Sequence, residues 1–104
     1  MNKKILALFL IVSLVAYETQ ATKGVDISQS FNNFSCLKSN GVNFVITRAW
    51  KSYGAYDSIA IGNINNARSA GIPYVDVYMF PCRGQSAASQ VNSLISSLGS
   101  ANYG

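Results

Sequence analysis

Hydrophobic and polar positions follow two alternating periods along most of this chain. Residues 42–50 are dense in β-branched and aromatic side chains, the pattern of a strand. Residues 58–70 come next, and their Ile61, Ile64 and Ala67 recur at helical spacing. Asp57 stands where a helix cap is wanted, and Pro73 stops the helix from continuing. Residues 74–80 are again strand-like. Ser86 is then placed to cap a third helix, in which Val91, Leu94, Ile95 and Leu98 form an apolar stripe. Ahead of these, residues 24–27 predict a short first strand and residues 34–40 a short first helix.

The pattern repeats. Ser39-Asn40-Gly41-Val42-Asn43-Phe44, Ser69-Ala70-Gly71-Ile72-Pro73-Tyr74 and Ser97-Leu98-Gly99 each place a glycine after a helix-like stretch and before a strand-like one. A glycine just past a helix end accepts the left-handed backbone that other residues resist. A strand–helix repeat of about 30 residues predicts parallel strands joined by crossover helices. Both the doubly wound sheet and the eight-fold β/α barrel are built this way, and periodicity does not choose between them. The fold expected is α/β with three parallel β-α units. In barrel terms it is a partial TIM-like barrel, truncated as a fourth strand begins.

Strand alternation sorts the polar candidates by face. Phe44, Ile46, Arg48 and Trp50 share one side of the second strand. Asp76, Tyr78 and Phe80 share one side of the third, and Val75, Val77 and Met79 share the other. The all-apolar side is expected to face the helices. In parallel β/α folds, sites form at the carboxyl ends of the strands. Asp26, Arg48, Asp76 and Tyr78 are therefore the natural constellation. Each also has a purely structural role open to it. Arg48 and Asp76 on adjacent strands neutralise one another, Tyr78 packs in the core, and Asp26 caps the following loop.

The first 21 residues need separate treatment. Asn2-Lys3-Lys4 is a short positive stretch, residues 5–16 are apolar except for Ser13, and Thr19-Gln20-Ala21 has small residues at its first and third positions. The apolar run falls short of the ~20 residues of a transmembrane helix and fits a secretory signal cleaved after Ala21. The expected organisation is a signal peptide over residues 1–21 and one small domain over 22–104. No stable membrane anchor is expected, and export to the cell exterior or a lysosome-like compartment is.

Export changes how the remaining residues are read. Cys36 and Cys82 are the only cysteines, so they pair with each other or stay free. Asn33-Phe34-Ser35 is an N-glycosylation sequon. Residues 22–104 carry six basic side chains (Lys23, Lys38, Arg48, Lys51, Arg68 and Arg83) against Asp26, Asp57 and Asp76. This scattered excess gives no basic run, so no nucleic-acid partner is indicated. Without histidine there is no His-based triad. No cluster has metal-ligand spacing and no glycine-rich phosphate loop is present, so neither a metal nor another cofactor is expected.

Three ordered segments resemble the glycoside hydrolase family 25 lysozymes. Gly24-Val25-Asp26-Ile27-Ser28-Gln29 is similar to their first strand, and Phe44-Val45-Ile46-Thr47-Arg48-Ala49-Trp50 to the second. Tyr74-Val75-Asp76-Val77-Tyr78-Met79-Phe80-Pro81-Cys82 is similar to the third, in the form of the nematode and amoeba branch. The resemblance spans residues 23–104. It implies a secreted, modified β/α barrel that cuts the β-1,4 bond between N-acetylmuramic acid and N-acetylglucosamine in peptidoglycan, for defence against bacteria or their digestion. It assigns Asp26 to the active-site aspartate of the first strand and Tyr78 to the active-site tyrosine of the third. Asp76 and Arg48 are the accompanying substrate-contact candidates. The family's general acid is the glutamate of an Asp-Xaa-Glu motif on the fourth strand, which is not reached here.

That departure bears on activity. Glycoside hydrolysis normally uses two carboxyl groups, one of them held protonated to donate to the leaving oxygen. Residues 22–104 contain no glutamate. An Arg48–Asp76 pair would favour the ionised form of Asp76, the wrong direction for an acid. Little or no hydrolysis is expected, with a non-catalytic glycan-binding protein or a gene-model remnant as the alternatives.

Overall fold

The computed structural model describes residues 21–104; the segment read as a signal peptide lies outside these residues apart from Ala21. Seven elements follow in order: β1 (Lys23–Ile27), α1 (Phe34–Ser39), β2 (Val42–Lys51), β3 (Ala55–Tyr56), α2 (Ile59–Ser69), β4 (Tyr74–Met79) and α3 (Ala87–Leu98). β2 is central. It pairs in parallel with β1 on one side and with β4 on the other. These are the three expected β-α units. The sheet is nonetheless four-stranded, because β3 pairs antiparallel with the end of β2, Trp50 opposite Tyr56 and Lys51 opposite Ala55, and it is open rather than closed, since β1 and β4 each pair only with β2 among the described residues. The two-residue β3 was too short to read from periodicity.

The β2 side chains explain the layering. Val45, Thr47 and Ala49 point to the helices and are fully buried, with Val75 of β4 beside Val45. Phe34 of α1, Ala60, Ile64 and Ala67 of α2, and Leu94 and Leu98 of α3 close this layer. Val77 and Met79 pack against the same core, as the apolar side of β4 predicts. The α3 stripe is only half used, for Leu94 and Leu98 are buried while Val91 and Ile95 are exposed. The buried turn of α3 begins instead at Gln90, one helical turn before Leu94.

Glycines end the helices where the repeat places them. Gly41 and Gly71 have φ of 87° and 84°, a left-handed conformation that costs a residue with a Cβ ~1 kcal/mol or more. Each donates its N–H to a carbonyl in the last turn of the preceding helix, Lys38 O at 3.0 Å and Arg68 O at 2.9 Å. Ser86 caps α3, its hydroxyl accepting from Ser89 N at 3.3 Å. Residues after α3 return to the sheet. Gly104 N donates to Val75 O at 2.9 Å, and Arg68 ties the returning segment at Asn102 O, 2.9 Å, to the turn before β4 at Pro73 O, 2.8 Å.

Candidate functional site

Strand register decides which polar side chains meet. In the parallel pairing, Asp26 lies opposite Ile46 and Ile46 opposite Asp76, so the three form one row across the sheet. Arg48 and Tyr78 form the next row toward the carboxyl ends. All four candidates therefore share the face away from the helices. Gly24, Phe44 and Tyr74 form the row on the other side of Asp26–Ile46–Asp76. The Phe44 ring covers the Gly24 backbone, filling the space that any side chain at position 24 would need.

The two carboxylates of the row are in different states. The Asp26 side chain is exposed and its carboxylate accepts no hydrogen bond among the described residues, so the loop-capping role open to it is not used. Asp76 accepts from the N–H of Val77 at 2.7 Å. Two strand spacings separate the backbones of these aspartates, roughly 10 Å, with Ile46 between them. That distance is too wide for a direct carboxyl–carboxylate bond and leaves room for a ligand group over Ile46.

The Arg48–Asp76 pairing is corrected by the structure. Arg48 Nε donates to Asp57 Oδ2 at 2.8 Å, and its second arm reaches Ser28 O at 3.4 Å. Arg48 sits one row beyond Asp76, and the segment after β3 brings Asp57 back over β2 through Asp57 N to Ala49 O, 2.9 Å. Asp57 is almost fully buried whereas the Arg48 side chain is 29% exposed. The pair thus joins the loop after β1 to the entry of α2. The other Asp57 oxygen accepts from Ile59 N at 3.3 Å, the helix-start role read from sequence. Asp76, without an arginine partner among the described residues, keeps its carboxylate on the open face.

Trp50 also departs from the expected face. The pairing of β2 with β4 slips between Arg48 and Trp50, so Trp50 stands opposite Met79. Such a bulge re-aims the side chain that follows it. Trp50 turns to α3, is buried, and donates its indole N–H to Gln90 Oε1 at 3.0 Å. The same oxygen accepts from Cys82 N at 2.8 Å, while Gln90 Nε2 donates to Cys82 O at 3.1 Å and Gln85 O at 3.3 Å. One buried amide thus fastens the loop after β4 to the end of β2. Asn63 does the same for the loop after β1, meeting Phe31 N, Gln29 O and Thr47 Oγ1, each at 3.0 Å. Neither residue was singled out in the sequence. The available signal was a polar residue in register with a buried stripe, Asn63 beside Ile64 and Gln90 one turn from Leu94.

Other groups near the rim are defined by their surroundings. Burial pushes the Tyr56 phenol above its ordinary value, and the nearby Asp57 charge adds to this. Its hydroxyl lies near the Ile61 backbone without reaching hydrogen-bond geometry, and it is buried without a partner among the described residues. The exposed Tyr53 raises the Lys51 pKa, and the Lys51 ammonium stands 5.5 Å from the Tyr53 ring centre. Cys36 and Cys82 are both free, Cys36 exposed on α1 and Cys82 half-buried after β4. No group of three or more potential metal ligands occurs among the described residues.

Two cavities frame this face. One of about 260 Å³ lies over Phe44, Ile46, Tyr74 and Asp76, closed on one side by Gly104. A larger one, about 570 Å³, opens at the amino ends of the strands near Lys23, Lys38, Gly41 and Gly71. Helices α1 and α2 end there, with the Lys23 side chain beside Gly41 and the Lys38 side chain beside Gly71. That larger cavity is at the wrong end of the sheet for the candidate residues.

Comparison with known proteins connects this geometry to a family. The family model described as Lysozyme-like protein 1 matches residues 17–104. The chain is 46% identical over 89 residues to "Probable GH family 25 lysozyme 2" of Dictyostelium discoideum, covering 81% of this chain and 42% of that protein. It is 40% identical over 80 residues to "Lysozyme-like protein 5" of Caenorhabditis elegans, covering 75% and 37% respectively. "Probable GH family 25 lysozyme 4" of D. discoideum is 44% identical over 64 residues, covering 60% and 30%. The chain therefore spans about two fifths or less of the length of these relatives.

Proposed function

The chain belongs to the lysozyme-like family, and from that premise we propose that residues 22–104 form the first three β-α units of a muramidase-type barrel. The ligand is bacterial peptidoglycan. In this reading Asp26 is the active-site aspartate, and Tyr78, Asp76 and Arg48 line the bed on which the glycan lies. Export, to the exterior or a lysosome-like compartment, brings the protein to its substrate. No helix among the described residues is long and apolar enough to cross a membrane.

The observation that carries this reading is the register. It sets Asp26 and Asp76 on one open face, with Tyr78 in the adjoining row toward the carboxyl ends of the strands, the side on which parallel β/α folds build their sites. An exposed, unbonded carboxylate is available to a sugar hydroxyl or amide in a way that a capped one is not. Arg48 acts on the same bed indirectly. Its second arm holds Ser28 O in the loop following Asp26, while its bond to buried Asp57 anchors the guanidinium.

The chemistry available to these residues is incomplete. Proton donation to the leaving oxygen contributes ~100- to 10,000-fold in rate. Residues 22–104 offer no glutamate for it, and Asp26 stands exposed to water on the open face. The proposal is therefore binding by this chain with little turnover. Sedimentation with insoluble peptidoglycan tests it. Retention that is lost in both Asp26→Ala and Tyr78→Phe, with no release of soluble muropeptides, is the expected result. Equal retention of the parent chain and both variants removes the site assignment, and hydrolysis abolished by Asp26→Ala removes the claim of weak turnover.

A further inference from the structure

Asn33-Phe34-Ser35 is the single N-glycosylation sequon of the chain, and the structure gives its three residues unlike environments. Phe34 is fully buried, its ring set edge-on against Phe31 at 4.9 Å. Asn33 and Ser35 on either side are exposed. The preceding loop is tied down, for Phe31 N donates to Asn63 Oδ1 and Phe31 O accepts from Asn66 Nδ2 at 3.2 Å. The buried ring and the tied loop together hold the Asn33 side chain on the outside.

Asn33 also occupies the cap position of α1, where an asparagine ordinarily bonds a first-turn amide. Here φ is −94° and ψ is 49°, outside the usual extended cap conformation, and no side-chain cap bond forms. Asn40, Asn63 and Asn66 each donate their side-chain amide to a neighbour. The Asn33 amide has no such duty among the described residues. It is also remote from the candidate site, because α1 packs on the helix-covered side of β2 while Asp26 and Tyr78 lie on the open side.

We propose that Asn33 is an N-glycosylation site, with an oligosaccharide on an outward, structurally idle amide that leaves the open face uncovered. The donor class is a polyprenyl-diphosphate-linked oligosaccharide. Asn33 Nδ2 forms a bond to the anomeric carbon, the bond from that carbon to the diphosphate oxygen breaks, the lipid diphosphate leaves with the electron pair, and the amide gives up one proton. The inference rests on the reading that the chain is exported, since the transfer takes place in the secretory pathway.

The test is expression of the full chain, with its own N-terminus, in a eukaryotic secretory host, followed by intact mass measurement before and after peptide N-glycosidase. The expected result is a glycan mass on chain recovered from the medium, removed by the enzyme with conversion of Asn33 to aspartate. Asn33→Gln and Ser35→Ala each abolish it, Ser35→Thr retains it, and peptidoglycan sedimentation is the same for the Asn33→Gln variant as for the parent. Unmodified chain in the medium overturns the inference and leaves export standing. Unmodified chain retained in the cell overturns both, and a glycan that persists in Asn33→Gln overturns the assignment to this residue.

Discussion

The two faces of the sheet are built from the same three strands and follow opposite rules. On the covered face, Val45, Thr47, Ala49 and Val75 are buried under three helices, and the one hydroxyl among them is met by Asn63. On the open face, Asp26 and Asp76 flank Ile46 in water, and Tyr74 is 65% exposed. The covered face is where stability resides. A buried polar atom there is expensive unless bonded, so Asn63 and Gln90 are almost completely paired. The open face accepts unpaired carboxylates because water still solvates them, and those same groups are left free for a ligand.

Substitutions that respect this division have effects of very different size. Ile64→Ala on the covered face leaves a cavity in the fully buried layer and is expected to cost ~2–5 kcal/mol, read as a lower urea midpoint with unchanged slope. A loss under ~0.5 kcal/mol would mean that the helices do not rest on the sheet as described.

Arg48→Ala spans both faces. It removes the partner of buried Asp57, and the partly exposed arginine moderates the effect to ~1–3 kcal/mol. Peptidoglycan retention is expected to fall with it, because the loop after Asp26 loses its tether to Arg48. Arg48→Ala at parental stability would show that the Asp57 pair is not formed in solution.

Tyr56→Phe removes a buried hydroxyl that has no partner among the described residues and is expected to leave stability unchanged or raise it by ~1 kcal/mol near neutral pH. Its raised folded value also sets a pH window. The protonated phenol is favoured in the folded state, so its contribution is complete below the ordinary value of 10 and is lost as pH rises from there through the raised folded value. Thermal stability should therefore fall more steeply above pH 10 for the parent than for Tyr56→Phe. Parallel curves for the two would contradict the burial of this hydroxyl.

Asp76→Asn on the open face is expected to change stability by less than ~0.5 kcal/mol while weakening peptidoglycan retention. A large stability loss from this exposed residue would erase the distinction between the two faces.

Much of this organisation was legible along the chain. The three β-α units, the Ser86 cap, the glycines that end α1 and α2, and the inward side of β4 are local consequences of spacing and of residues with strong backbone preferences. Positions 75, 77 and 79 declare their face because strand alternation has a period of two and all three are apolar. The same rule failed at Trp50, since one bulge between Arg48 and Trp50 breaks the alternation. Helical spacing on α3 likewise marked more than is buried, for Val91 and Ile95 stay exposed where the stripe is wider than the surface beneath it.

What the amino-acid sequence determined by itself is the alternation of strand and helix, the placement of Asp26, Asp76 and Tyr78 on strands, and the family they resemble. What only the tertiary structure decided is partnership. Arg48 bonds Asp57 rather than Asp76, Gln90 gathers Trp50 and the loop after β4, and Asp26 is left unbonded. Hydrogen bonds and ion pairs between elements depend on register and loop path, which are settled when the hydrophobic layer closes. Periodicity within one element carries no record of which distant group will lie within 3 Å of it.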